Sequence, residues 1–432
     1  MMIKSEKIGV VGLWHLGSVL CAAWSKLGYE VRGFDYDKQR VSCLLKGIPP
    51  VFEPDLSEII RTSKGNGTLS FFTNMQYLNE CDFIFLSYDT PVTANDSSDL
   101  KILEKSVRDL RTVMKNGSIL IISSQSPVSY CSILRTILRS GNKTLELAYS
   151  PENLRLGEAI ECYLNPDRII LGTSNRDAES KCLSLLSNVT NRILTMDIAS
   201  SEMVKHGINS FLAMSIVFAN SLADLCEETG ANVDDVVEGL KSDSRIGLKA
   251  YLSPGIGFSG GTLGRDLKVL DQVYQRFSNS SGWFGTIHKY NSNRKYTMVN
   301  KIAKLTNGLE GKTLGVLGLT YKPGTSTLRR SLPLEIVSLL VDKGATVRSY
   351  DPKADYSELK NNQMFMIETT IEDLSIDADM LVLLTEWPAF KEFDWSTIKN
   401  RMKTPAIFDT KNFLNREELK ESGFNYYSIG RK

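Results

Sequence analysis

Between residues 7 and 37 the chain spells out one supersecondary unit in full. K-I-G-V-V-G is an apolar strand, L-W-H-L-G-S-V-L-C-A-A-W-S-K-L-G a helix, and Y-E-V-R-G-F-D a second strand. The two hydrophobic periods alternate, which is the pattern of a strand-helix-strand crossover. Short apolar runs at Phe83 to Ser87, Ile119 to Ser123, Leu147 to Tyr149 and Arg168 to Leu171 extend it as further strands. Strands alternating with helices predict an α/β fold built on a parallel, doubly wound sheet.

From Ser200 to about Thr229 the pattern changes. Met203, Val204, Ile208, Phe211, Leu212, Ile216, Phe218 and Leu222 recur at helical spacing, with no glycine between Gly207 and Gly230. This predicts one long helix whose broad apolar face suits a domain junction or a dimer core. After residue 311 the α/β pattern returns: G-K-T-L-G-V-L-G-L, then S-L-P-L-E-I-V-S-L-L-V-D-K-G, then A-T-V-R-S-Y-D-P. G-Y-E-V-R-G-F-D (28 to 35) and G-A-T-V-R-S-Y-D (344 to 351) echo each other. Chance likeness of two strand endings is one account of the echo; two sheets of related architecture is the one that fits the surrounding order. The expected layout is two doubly wound parallel-sheet domains joined by a long central helix, with boundaries at 1–199, 200–300 and 301–432.

Composition narrows the function. The chain has 51 basic and 50 acidic residues, which gives no electrostatic case for nucleic acid or an anionic membrane surface. The first apolar run leads directly into a strand, so no leader is expected, and no stretch is read as approaching the ~18 apolar residues of a membrane span. Seven scattered cysteines without a C-x-x-C pair read as free thiols in a reducing cytoplasm. Three well-separated histidines leave little for a metal site.

Gly12-Leu-Trp-His-Leu-Gly17 sits between the first strand and helix, the place of a Rossmann dinucleotide fingerprint. The first glycine makes the tight turn and the last permits close helix-strand packing. The helix N-terminus then offers free N–H groups and a positive dipole end to a pyrophosphate. Trp14 replaces the middle glycine, which the site tolerates if its indole points away. Asp35 ends the next strand, where an acid accepts ribose hydroxyls and repels a 2′-phosphate; NAD is therefore expected rather than NADP. The same turn without a nucleotide is the plainer alternative.

S-Y-D-T-P (87 to 91) and S-S-Q-S-P (123 to 127) follow apolar strands, at the sheet end where ligands bind; proline-punctuated loops explain either one alone. In Y-S-P-E-N-L-R-L-G-E-A-I, Glu152 follows a strand and a rigid proline. It can do acid/base work or cap the next helix, and pattern alone favours the cap. Lys205 and Asn209 share a face of the long helix, either aimed into a cleft or solvated at the surface. P-G-I-G-F-S-G-G-T-L-G-R-D (254 to 266) packs glycines around an aromatic. That is the composition of a loop that wraps a sugar or phosphate, with Asp266 capping a helix from Leu267 or acting as a base.

Together, and in order from about residue 7 to 425, these segments resemble the UDP-glucose/GDP-mannose dehydrogenase family. The carriers include G-L-W-H-L-G with Asp35, Y-D-T-P, S-P-E-N-L-R-L-G-E-A, N-P-D-R-I-I-L-G, S-E-M-V-K-H-G-I-N-S-F-L-A and S-R-I-G. After the Gly-rich loop come G-V-L-G-L-T-Y-K-P-G-T, Y-D-P, T-E-W and F-D-T-K-N. The resemblance implies an N-terminal NAD domain, a central dimerising helix and a C-terminal nucleotide-sugar domain, with catalysis in a cleft between the sheets. It implies Lys205, Asn209 and Asp266 at the reacting carbon, where they position a water and stabilise developing oxyanion charge. It places Glu152 in a hydrolytic step and Thr262 at the nucleophile's position. Cofactor contacts implied are Gly12, His15, Leu16, Gly17, Asp35, Arg40, Thr90, Gln125 and Arg329. Substrate contacts implied are Arg155, Arg245, Tyr251, Phe258, Gly260 and Lys322. A cytoplasmic homodimer acting on a UDP-sugar, in supply of polysaccharide precursors, completes the expectation.

The family's second oxidation runs through a cysteine that captures the aldehyde. Where the family reads G-F-G-G-S-C-x-P-K-D, this chain reads G-F-S-G-G-T-L-G-R-D, so that cysteine aligns with Thr262. A thiol ionises near about 8.5, whereas an alkanol is a far poorer nucleophile. Gln125, Leu154-Arg155-Leu156 and Ser326-Thr327 also depart from the family pattern. The expected reaction is a two-electron oxidation, alcohol to aldehyde or ketone. The rivals are a four-electron route to a uronate through Glu152 and a hydrate, and a non-catalytic nucleotide-sugar binder.

Overall fold

The computed structural model describes residues 4–90, 100–141, 143–152, 154–259, 261–278, 280, 282–359 and 364–431. They divide into two compact units, Met1–Ile208 and Asn209–Lys432.

In the first unit, eight strands among the described residues form one sheet. Its spatial order is Leu69–Phe72, Glu30–Phe34, Lys7–Val11, Phe83–Leu86, Ile119–Ile122, Glu146–Tyr149, Ile169–Thr173 and Ile193–Asp197. Side chains alternate between its two covered faces. Ile8, Val10, Phe83, Phe85, Ile119 and Ile121 pack on one side with Trp24, Leu20 and Tyr163. Val11, Ile84, Leu86, Leu120 and Ile122 pack on the other with Leu103, Val107 and Leu134. Both faces are dry, so the strands read as unbroken apolar runs. The sheet departs from the all-parallel expectation at one step, where Tyr149 pairs antiparallel with Gly172. The 168–171 run is therefore a strand, Ile169–Thr173, in the opposite direction from its neighbour.

In the second unit, six strands among the described residues form an all-parallel sheet ordered Met366–Ile367, Thr346–Tyr350, Thr313–Leu317, Met380–Leu383, Ala406–Asp409 and Asn425–Ser428. Counted from the first strand of each sheet, the order is the same, 3-2-1-4-5-6. The echo between 28–35 and 344–351 is thus the second strand of two like sheets. The likeness extends to hydrogen bonds: Gly12 N–H donates to the Phe34 carbonyl at 2.9 Å, and Gly318 N–H to the Tyr350 carbonyl at 2.8 Å.

The long helix runs Ile198–Thr229. By length and composition it could cross a membrane, with a window of mean hydropathy 1.4. This corrects the expectation that no stretch approaches a span, because His206 to Ala223 carries no Asp, Glu, Lys or Arg. Polar side chains in that stretch reach into the fold: Asn220 accepts the Gly255 N–H at 2.7 Å and is 1 % exposed.

Candidate active site

The dinucleotide turn is built as its glycines require. Gly12 has φ +94°, and a Cβ on it would lie 2.8 Å from the Tyr88 nitrogen. A Cβ on Gly17 would lie 1.7 Å from the Gly12 carbonyl oxygen, so only glycine lets the helix approach the turn. Trp14 caps the helix His15–Lys26 and is partly buried, as are His15 and Leu16. Asp35, 1 % exposed, accepts the Leu13 N–H at 2.7 Å and pairs with Arg40 at 2.8 Å. A glycine cradle, a helix N-terminus and a buried acid at the neighbouring strand end fit a dinucleotide.

The second sheet has the same acid in the same place, already committed. Asp351 accepts the Leu319 N–H at 2.7 Å, the Thr320 N–H at 2.9 Å and hydroxyl at 3.0 Å, and the Trp387 indole N–H at 3.2 Å. Asp351 thus holds a tryptophan indole in addition to its own turn.

The loops expected at strand ends do meet. The Thr90 hydroxyl donates to the Gln125 carbonyl at 2.9 Å. Pro91 and the eight residues after it lie outside the described residues.

Glu152 does not cap a helix: the next one is Ala159–Leu164, with Glu158 at its N-cap. Gly157, with φ +87°, lies between Glu152 and that helix. The Lys205 ammonium donates to the backbone carbonyl of Glu152. Desolvation pushes the Glu152 carboxyl up to about 7, while the Lys205 charge pulls the other way. A carboxyl ionising there is suited to proton transfer near neutral pH.

Asn209, one helical turn beyond Lys205, is 6 % exposed, which removes the reading of this residue as a solvated surface position. Its amide donates to the Asp266 carboxylate at 2.5 Å, and Asp266 is 0 % exposed. The helix after the Gly-rich loop starts at Thr262, not Leu267, and runs to Ser278. Asp266 is therefore inside its second turn and caps nothing. The helix begins early because Leu263, Leu267 and Leu270 form an apolar face from its first turn. Thr262 is its first residue and is exposed.

The loop before Thr262 is pinned. Asn291 accepts the Phe258 N–H at 2.8 Å and donates to its carbonyl at 2.9 Å, and the Ser259 hydroxyl accepts the Leu332 N–H at 3.0 Å. Gly260 lies outside the described residues. Lys322 is partly buried and Tyr251 56 % exposed. Arg155 and Arg245 are exposed and reach Glu158 at 3.7 Å and Asp243 at 2.6 Å. Arg329, exposed, lies 3.5 Å from Glu358.

Two residues that the sequence reading passed over matter here. Glu53 is 2 % exposed and bonded to His15 and to two backbone amides. Glu202, 0 % exposed, accepts the N–H groups of Ser129 at 2.7 Å and Cys131 at 3.0 Å and so fastens the long helix to the first unit's 129–131 turn. The prolines flanking Glu53, in P-P-V-F-E-P, were the available signal for the first; the second had none.

Residues 6–190 match the NAD binding domain of the UDP-glucose/GDP-mannose dehydrogenase family, 199–293 its central domain and 315–416 its UDP binding domain. A UDP-glucose 6-dehydrogenase of Rickettsia conorii is 34 % identical over 435 residues, covering 98 % of this chain and 99 % of that protein. One of Rhizobium meliloti is 32 % identical over 98 % of this chain and 99 % of its own. The solved UDP-glucose dehydrogenase of the archaeon Pyrobaculum islandicum is similar with a TM-score of 0.89 at 25 % identity, over 99 % of this chain and 98 % of that one.

Proposed function

The chain belongs to the UDP-glucose/GDP-mannose dehydrogenase family of NAD-dependent nucleotide-sugar oxidoreductases, and from that premise we propose that it oxidises one hydroxyl of a UDP-sugar in a single two-electron step. NAD, when bound, supplies the hydride acceptor. Gly12, Gly17 and Asp35 hold the dinucleotide, with Arg40, Thr90 and Gln125 beside it. The Asn209 amide and the Lys205 ammonium stabilise negative charge on the oxygen as it becomes a carbonyl. Asp266, through a positioned water, takes the hydroxyl proton. UDP as the base rests on the match of 315–416 to a UDP binding domain.

The observation that carries the two-electron reading is Thr262 at the position of the family's nucleophile. No cysteine lies near Thr262 in the sequence. All seven cysteines are free thiols, five of them buried. Burial pushes Cys81 and Cys182 up to about 12 and also raises Cys21 and Cys131, so these stay protonated. Cys226, beyond Asn209 on the same helix, is displaced by 17 residues, roughly 25 Å along the axis. Without a thiolate no thioester forms, and the carbonyl compound is the product.

Glu152 supports a second reading. A carboxyl ionising near 7 could activate water to add to the aldehyde, and the resulting hydrate would give up a hydride to a second NAD to become a uronate. The reading as a mere binder falls with the family placement.

The proposed assembly is a cytoplasmic homodimer. Phe211, Phe218 and Leu225, spaced by seven on the long helix, are 64 %, 49 % and 60 % exposed and form an apolar stripe that a second copy would cover.

The test is incubation of purified protein with NAD and a panel of UDP- and GDP-sugars, with products identified by mass spectrometry. An aldehyde or ketone from a UDP-sugar supports the proposal; a uronate, or turnover of GDP-sugars alone, overturns it.

A further inference from the structure

Glu53 ties together two stretches that the proposed function uses for different tasks. Its Oε1 meets His15 Nε2 at 2.7 Å and accepts the Gly157 N–H at 2.9 Å, and its Oε2 accepts the Ala159 N–H at 3.1 Å. Its side chain is 0 % exposed and that of His15 11 %. Burial works against the charged form, but His15 and the two amides outweigh it and hold the carboxyl below its usual range. A buried carboxylate with three donors is fixed in place, and each donor is fixed in return.

Each partner has a position that matters. His15 is the first residue of the helix after the dinucleotide turn. Gly157 and Ala159 end the segment that begins at Glu152, and Gly157 has φ +87° in its tight turn. That segment is held at its start by Lys205 on the Glu152 carbonyl and at its end by Glu53. Pro50 and Pro54 stiffen the loop from which Glu53 projects.

We propose that Glu53 is a positioning residue coupling the cofactor turn to the Glu152 segment. A dinucleotide that tightens the 12–17 turn tightens His15, and through Glu53 the Gly157–Ala159 turn and the segment that begins at Glu152. The inference rests on the functional reading above for what Lys205, held on the Glu152 carbonyl, does, but not for the coupling itself.

The test is a double-mutant cycle on the full chain with Glu53→Gln, His15→Phe and both together. NAD affinity is measured by calorimetry, and kcat is measured at saturating NAD. Each single change is expected to weaken NAD about tenfold, and the double change to be no worse than the worse single. Glu53→Gln is further expected to lower kcat at saturating NAD, and His15→Gln, which restores a donor, to recover most of the loss in His15→Phe. Single effects that multiply in the double variant, or folded variants with unchanged NAD affinity, would overturn the proposal. If Glu53→Gln does not fold, the His15 pair decides: loss in Phe with recovery in Gln supports the coupling, and no difference between them refutes it. If the wild type oxidises no nucleotide sugar, the functional reading fails, while calorimetry still decides on Glu53.

Discussion

Asn209 donates its side-chain amide to the Asp266 carboxylate, and both side chains lie in the interior, 6 % and 0 % exposed. One comes from the long helix and the other from the second turn of the helix that begins at Thr262, so 57 residues of chain close into one bond. A buried, directly bonded amide and carboxylate form a fixed polar pair, which is the condition for electrostatic stabilisation of a transition state without rearrangement. Asn209→Ala is expected to lower kcat by about 10²- to 10³-fold with KM for NAD little changed, the range of one lost oxyanion donor. Steady-state kinetics with each substrate varied checks it; a change confined to KM contradicts it.

Glu152 sets an expected pH profile. On the second reading, where it activates water, it must be ionised, so uronate formation rises with pH through an apparent pKa near 7, whereas the two-electron step shows no such limb. Glu152→Gln removes that limb. Stability runs the other way. A carboxyl whose folded pKa is raised favours the fold while protonated in both states, and that contribution is lost as pH climbs from the ordinary carboxyl range through about 7. Denaturant midpoints at pH 5 and 8 therefore converge in Glu152→Gln relative to wild type.

Thr262→Cys restores a thiol at the first residue of a 17-residue helix. The helix N-terminus favours the thiolate, so labelling by iodoacetamide at pH 7 should be faster than for the seven native cysteines. With substrate present, this variant is expected to release a second NADH and some uronate. A labelled but strictly two-electron variant would show that more than the nucleophile has been lost.

The apolar stripe predicts assembly. Phe211→Glu with Phe218→Glu places two charges where a partner is expected, and a desolvated unpaired charge costs several kcal/mol. Light scattering should report dimer for wild type and monomer for the double variant. Equal masses contradict the dimer.

The sheets were legible because both faces of each are covered. Ile84 faces one core and Phe85 the other, so neither face left a polar trace and the strands stood out as runs. Strand direction leaves no such trace, and the antiparallel step at Tyr149 and Gly172 went unseen. Of the two readings of Asp266, cap or base, the cap falls because the helix starts at Thr262: the glycines before it read as loop, whereas Leu263 and Leu267 already mark the helix face. The prolines around Glu53 mark its loop, but its partners lie 38 and 104 or more residues away, and only the folded chain brings them together.

The most direct measurement of the central claim is the amount of NADH formed per nucleotide sugar consumed, taken to completion with limiting sugar and excess NAD. One NADH per sugar, with a carbonyl product that hydrazine traps, is the predicted result. Two NADH per sugar with a uronate would contradict it and return the chain, despite Thr262, to a four-electron reaction.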